Sequence, residues 1–108
     1  MDTDFEKYTY EQFPIECDFA NVLDTGETLV VANCEIKIYD EDGKDVTTAM
    51  YVDGSISVAD GSKTSSKLKA KIKAGTADAK YTVKFKATSS ASNKFQLDKT
   101  LYVKYENT

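Results

Sequence analysis

The chain has no histidine, no arginine and no tryptophan, and only one proline, five glycines and two cysteines in 108 residues. Each shortage removes a class of function. Without histidine, the commonest general base and the commonest metal ligand are missing. Without arginine there is no planar fork to clamp a phosphate or carboxylate through two parallel hydrogen bonds. No G-x-S-x-G, P-loop or G-x-G-x-x-G pattern occurs, and the acids fall in turns and on alternating strand positions rather than as a facing pair. The expectation is therefore no enzyme, with no catalytic residue, metal ligand or cofactor. The longest apolar run, Leu29 to Ala32, is far below the roughly 20 residues of a membrane-spanning helix, so no membrane partner is expected. The opening Met1-Asp2-Thr3-Asp4 is acidic and polar, unlike the basic and apolar start of a secretory leader, and the chain is expected to work without export.

Cys17 and Cys34 do not form a C-x-x-C pair, so zinc is not supported. Alternation places both on inward faces of the first two strands, where neighbouring strands leave a disulfide geometrically open. Without export, two buried reduced thiols acting as small hydrophobes are expected instead.

What the chain does have is alternation. In Lys67 to Ser89, Leu68, Ala70 and Ile72 share one face, and Lys67, Lys69, Lys71 and Lys73 the other. After Gly75-Thr76-Ala77-Asp78 the pattern resumes, with Tyr81, Val83, Phe85 and Ala87 against Lys80, Thr82, Lys84 and Lys86. Period-two alternation interrupted by turn residues predicts two half-buried strands. Phe13, Ile15, Cys17 and Phe19 predict another, and Pro14, which cannot donate to a ladder, places it at a sheet edge. Thr28 to Asp40 reads as a long strand with Ala32, Cys34, Ile36 and Ile38 inward and Glu35, Lys37 and Tyr39 outward. Its Leu29-Val30-Val31-Ala32 segment departs from alternation, as a bulge or a strand buried on both faces would. Val46 to Val52 and Ile56 to Val58 suggest short strands, and Phe95, Leu97, Leu101, Val103 and Tyr105 share parity in a last one. About seven antiparallel strands with no helical period predict an all-β sandwich of immunoglobulin type. At this length the chain is one domain, with residues 1–12 as an acidic aromatic arm and residues 13–108 as the sandwich. The arm carries Phe5, Tyr8 and Tyr10 and reads either as a tail that docks on a neighbouring subunit or as an extra edge strand or floppy terminus.

Charge is uneven. Residues 1–45 hold 13 acids and 3 lysines, residues 46–108 hold 5 acids and 11 lysines, and −10 with +6 gives the net −4. Such polarity suits head-to-tail association or simply solvated surfaces. The lysine rows Lys67, Lys69, Lys71 and Lys73 resemble a phosphate-binding face, but few outward aromatics (Tyr39 and Tyr102) interleave them, so nucleic acid is not the expected partner. Their expected role is to block edge-to-edge aggregation. Asp40-Glu41-Asp42-Gly43-Lys44-Asp45 holds four acids, but its glycine is fourth and no glutamate follows at the spacing of a calcium loop. A turn built on Gly43 is expected there, with a cation site the weaker reading. Tyr81, at the start of the penultimate strand, is placed to bond back to the backbone as a tyrosine corner.

Several segments together carry a resemblance. They are Glu16-Cys17-Asp18-Phe19, Leu23-Asp24-Thr25-Gly26-Glu27-Thr28, Asp42-Gly43-Lys44-Asp45-Val46-Thr47, Ala74-Gly75-Thr76-Ala77-Asp78-Ala79-Lys80-Tyr81-Thr82-Val83 and Thr88-Ser89. They resemble a family of small tailed-phage virion proteins with an immunoglobulin-like fold, of the fibre-tail adaptor kind, over about residues 13–105. The family pattern runs "L-x-x-G-E/D-T-I", "D-G-x-D-V-T", "G-G-T-A-G-x-x-Y-x-V" and "T-S-x-G". Ala74, Asp78 and Ala91 stand here where the pattern has glycine. The resemblance implies a structural role in the virion, in the neck, tail or fibre-attachment region. Its partners would be other virion proteins (capsid, connector, tail or fibre subunits) met in many copies. A capsid decoration protein is the nearest alternative, and a surface-adhesion or carbohydrate-binding module the alternative of another class.

Overall fold

Alternation becomes strand where one face can be buried, and in the computed structural model, which describes residues 3–105, it does so seven times. The strands are β1 (Phe5–Tyr8), β2 (Phe13–Asp18), β3 (Glu35–Tyr39), β4 (Ser57–Ala59), β5 (Lys67–Ile72), β6 (Ala79–Thr88) and β7 (Lys94–Lys104). One helical turn, α1 (Thr47–Met50), joins β3 to β4. Two sheets form, ordered β1-β7-β6-β3 and β2-β5-β4. With β2 to β7 in the places of strands B to G, these are the C-F-G and B-E-D sheets of an immunoglobulin-type sandwich. Ile15, Cys17, Ile36, Ile38, Leu68, Ala70, Ile72, Val83, Phe85, Leu101 and Val103 fill the space between the sheets, all buried.

Several expectations are corrected. Not every pair is antiparallel, because β1 runs parallel to β7, with Phe5 opposite Leu101 and Tyr8 opposite Lys104. The arm reading therefore gives way, over Phe5–Tyr8, to an edge strand, while Met1, Asp2 and residues 106–108 lie outside the described residues. The long strand is cut short. Val31–Asn33 forms a 3-10 turn, which accounts for the lost alternation, leaves Ala32 exposed and delays β3 to Glu35. Val46 to Val52 is not a strand, because Thr47–Met50 coils to bury Met50. A single turn is too short to show a period in the sequence. Tyr105 lies past the end of β7 and is 68% exposed rather than inward. Pro14 does lie on an edge strand, since β2 pairs only with β5.

Tyr81 faces the core at the start of β6, and its hydroxyl accepts a hydrogen bond from the Thr76 amide at 2.8 Å. This is tyrosine-corner geometry. Replacing Tyr81 with Phe should cost on the order of 1 kcal/mol, the worth of one such bond. An unchanged thermal melt would rule the bond out as a contributor. Cys17 and Cys34 are both free; Cys17 is buried, as expected, whereas Cys34, just before β3, is only half-buried. Burial pushes the Cys17 thiol up to about 11, so it is protonated and unreactive at neutral pH.

Candidate interaction surfaces

The two ends of the sandwich are built differently. At the upper end the β2–β3 connection, the loop before β5 and the β6–β7 turn meet over one buried and one half-buried carboxylate. Glu27 is 7% exposed. It accepts hydrogen bonds from the Ser89 hydroxyl, from Asn93 Nδ2 at 3.0 Å and from the Asp24 amide at 2.9 Å. Beside it the Ser90 amide donates to the Thr28 carbonyl at 2.7 Å and the Val30 amide to the Thr88 carbonyl at 2.9 Å. The segments Gly26-Glu27-Thr28 and Thr88-Ser89, far apart in sequence, thus form one structure.

Asp18 gathers donors in a similar way nearby. It accepts from Ser66 Oγ at 2.7 Å, the Ser62 amide at 2.7 Å and the Ala20 amide at 2.9 Å. Gly61 leaves room for it, since a Cβ there would collide with Asp18 Oδ2. Desolvation pushes the Asp18 carboxyl up, but the bonds from Ser62, Ser66 and Ala20 outweigh it and hold the group at about 2, below its ordinary 3.8. The Ser89 hydroxyl, with Asp24 and Asn93, holds Glu27 below the usual carboxylate range by the same means. Both carboxyls are thus depressed on folding, so their contribution is complete above the unfolded values near 4; that of Asp18 is lost as pH falls towards 2, and that of Glu27 as pH falls below its unfolded value. Chemical denaturation between pH 5 and about pH 2 should show stability falling, and Asp18→Asn should flatten that fall. An equal slope in the variant would assign the acid sensitivity elsewhere.

At the lower end stand the turn before β6 and an unexpected lysine. Lys7 points inward from β1 and is fully buried. Its ammonium donates to the carbonyls of Tyr8 at 2.6 Å, Ala74 at 2.6 Å and Thr9 at 3.3 Å. No sequence signal marks it, because its parity with Phe5 is that of an apolar position. In the turn, Ala74, Gly75 and Asp78 take φ of 57°, 95° and 62°, the left-handed region that favours glycine.

The predicted contact residues divide. Phe5 is half-buried, its ring 6.2 Å from that of Phe85 against the core. Tyr8 and Tyr10 are exposed at 41% and 91%, and Tyr105, not singled out from the sequence, joins them at this end. Lys104 lies 4.5 Å over the Tyr8 ring and 3.5 Å from Glu6. Lys67, Lys69 and Lys71 lie on β5, the middle strand of its sheet, so edge protection is not their role, and Lys73 follows its end. Acids from β2 stand among them: Glu16 lies opposite Lys69 and bonds Lys67 at 2.7 Å.

The acidic β2 lies beside the basic β5, while β1 and β3, each with one acid and one lysine, lie beside the basic β7 and β6, so part of the charge asymmetry of the sequence is met by neighbouring strands. The acidic turn closes on itself, with Asp40 Oδ1 accepting from the Asp42 and Lys44 amides at 3.0 and 2.9 Å and Gly43 at φ 81°. Among the described residues no cluster of three or more acids or cysteines is placed to hold a metal ion. A groove of about 550 Å³ at the upper end, lined by Cys34, Glu35, Lys86, Lys94 and Phe95 among others, sets two ammonium groups against one carboxylate. No protein-family model matches the chain, and no curated protein matches it.

Proposed function

We propose that this chain is a non-enzymatic structural module of a tailed-phage virion, acting in the neck, tail or fibre-attachment region through repeated protein–protein contacts. One observation carries the reading. The three positions of the β5–β6 turn at which the family pattern has glycine, residues 74, 75 and 78, are those whose backbone is left-handed here. The pattern's glycines answer a conformational need that this chain retains even where it carries Ala74 and Asp78. The meeting of Glu27 with Ser89 adds support, because it joins two further pieces of the pattern into one end of the domain.

In this role the module needs rigidity and surface rather than a reactive centre. Tyr8, Tyr10 and Tyr105 supply amphipathic contact area of the kind that dominates interface energetics. Modest single contacts become tenacious when many copies engage a symmetric particle at once. Nucleic acid and membrane do not enter the reading.

The test is electron microscopy and copy-number measurement on particles from a host that expresses the chain. A ring of roughly six or twelve copies at the neck or tail is expected, since connectors follow closed symmetry. Hundreds of copies on the head would assign a decoration role instead. Absence from purified particles would end the proposal. Combined Tyr8→Ala, Tyr10→Ala and Tyr105→Ala should lower incorporation while leaving the melting curve in place.

A further inference from the structure

The four-stranded sheet is open along half of one side. β1 covers β7 only from Leu101 to Lys104, and Asp4 reaches one residue further. The Asp4 amide donates to the Thr100 carbonyl at 2.9 Å, and the Thr100 amide donates to Asp4 Oδ2 at 2.9 Å. Among the described residues no strand pairs with the outer side of Lys94–Lys99. The two bonds of Thr100 fix the direction of every backbone group on β7. Residues of its parity, including Lys94, Gln96 and Asp98, aim N–H and C=O at the open side. Residues of the other parity, such as Val103, whose carbonyl accepts from the Asp78 amide at 2.8 Å, turn towards β6.

The open segment reads Lys94-Phe95-Gln96-Leu97-Asp98, and laid antiparallel on a second copy of itself about Gln96 it is self-complementary. Lys94 then faces Asp98, Phe95 faces Leu97, and Gln96 faces Gln96. Facing residues of an antiparallel pair share a sheet face, so solvent-side residues meet solvent-side residues and the half-buried Phe95 and Leu97 meet each other. Lys94 makes no ion pair among the described residues and is exposed. Asp98 already gathers cationic and amide donors, with Lys84 at 3.1 Å and Gln96 Nε2 at 2.8 Å.

We infer that two copies of this chain pair through β7 across a two-fold axis at Gln96, so that their four-stranded sheets run on as one. Each of the facing pairs Lys94–Asp98, Gln96–Gln96 and Asp98–Lys94 exchanges backbone hydrogen bonds in both directions. The next inward side chain is Lys99, which lines the gap beside Asp4, Phe5, Glu16, Cys17 and Asp18. A charge pointing inward at an edge opposes longer pairing, so the contact stops after Asp98. The same patch serves both copies, and the assembly closes as a pair rather than growing into a fibre. This inference does not rest on the virion reading, and either can fail alone.

Sedimentation equilibrium of the full chain over a wide concentration range tests it, and a monomer–dimer equilibrium is expected. Gln96→Pro removes one outward N–H per copy and none of the bonds to β6. It should keep the melting curve and raise the dimer Kd by about tenfold to a hundredfold. Gln96→Cys in a Cys34→Ser background is the second arm. Cα atoms of a hydrogen-bonded antiparallel pair stand about 5.5 Å apart, within disulfide reach, so mild oxidation should cross-link this variant to a dimer. Asp98→Cys in the same background should not cross-link, because its partner position is Lys94. A chain that stays monomeric up to about millimolar concentration, far above a useful Kd, would overturn the inference. So would a dimer whose Gln96→Cys variant fails to cross-link.

Discussion

Gly75→Ala should destabilise the domain by about 2–5 kcal/mol, the sum of a left-handed backbone cost and an overpacking cost. Gly75 has φ 95°, and a Cβ there would lie 2.8 Å from Val103 Cγ2 and 3.0 Å from Met50 Cε. Both neighbours belong to the buried core, Met50 in α1 and Val103 in β7, so neither side chain has free space to swing into. At roughly 4–8 °C per kcal/mol for a domain of this size, the melt should move down by about 8 °C or more. Gly54→Ala is the control. Its φ is 78°, but nothing lies within 4 Å of the added carbon. It should cost only about 1–2 kcal/mol, the backbone contribution alone. Equal losses in the two variants would show that close approach contributes nothing at Gly75.

Lys7→Met should cost about 2–4 kcal/mol, set by loss of the donor to the Ala74 and Thr9 carbonyls, since that of Tyr8 keeps the Glu11 amide, and reduced by relief of a buried charge. Methionine matches the length and fills the space, so packing is nearly preserved. What disappears is the ammonium shared by the carbonyls of Tyr8, Thr9 and Ala74. Ala74 opens the turn that contains Gly75 and the Thr76–Tyr81 bond, so β1 and that turn should loosen together. Hydrogen exchange distinguishes this from a uniform loss, because the amides of residues 74–79 and β1 should lose protection before those of β5. A variant as stable as the parent would mean that water satisfies the Thr9 and Ala74 carbonyls equally well.

The β5–β6 core is legible in the sequence because period two is unambiguous when lysine and aliphatic residues alternate, as in Lys67 to Ile72. Tyr81 is legible too, since its position after a turn fixes what its hydroxyl can reach. Three features are not. The 3-10 turn at Val31–Asn33 follows apolar residues that suit a strand, and only the geometry of the upper loops overrides them. Strand β1 is four residues long and pairs with the last strand, a contact between the two ends of the sequence that no local pattern encodes. Lys7 occupies an inward parity because three backbone carbonyls converge there, and carbonyl positions are invisible in side-chain patterns. The lysine rows do form the face that parity implies, but parity does not say whether a strand is central or at an edge, and their role depends on that. Gly75 is visible as a turn residue, whereas its contact with Val103 and Met50 belongs to the folded packing.

The parallel run of β1 along β7 also determines how the domain would respond to tension. A pull entering through Phe5 and leaving through Lys104 slides these two strands past each other in opposite directions, because they point the same way while lying side by side. The backbone bonds between them are then loaded together, in shear, instead of opening in succession from an end. Resistance to extraction under load follows the rate of this concerted rupture rather than the equilibrium stability of the sandwich. With Lys7 fastening β1 to the turn below it, the short first strand acts as a mechanical clamp across the domain.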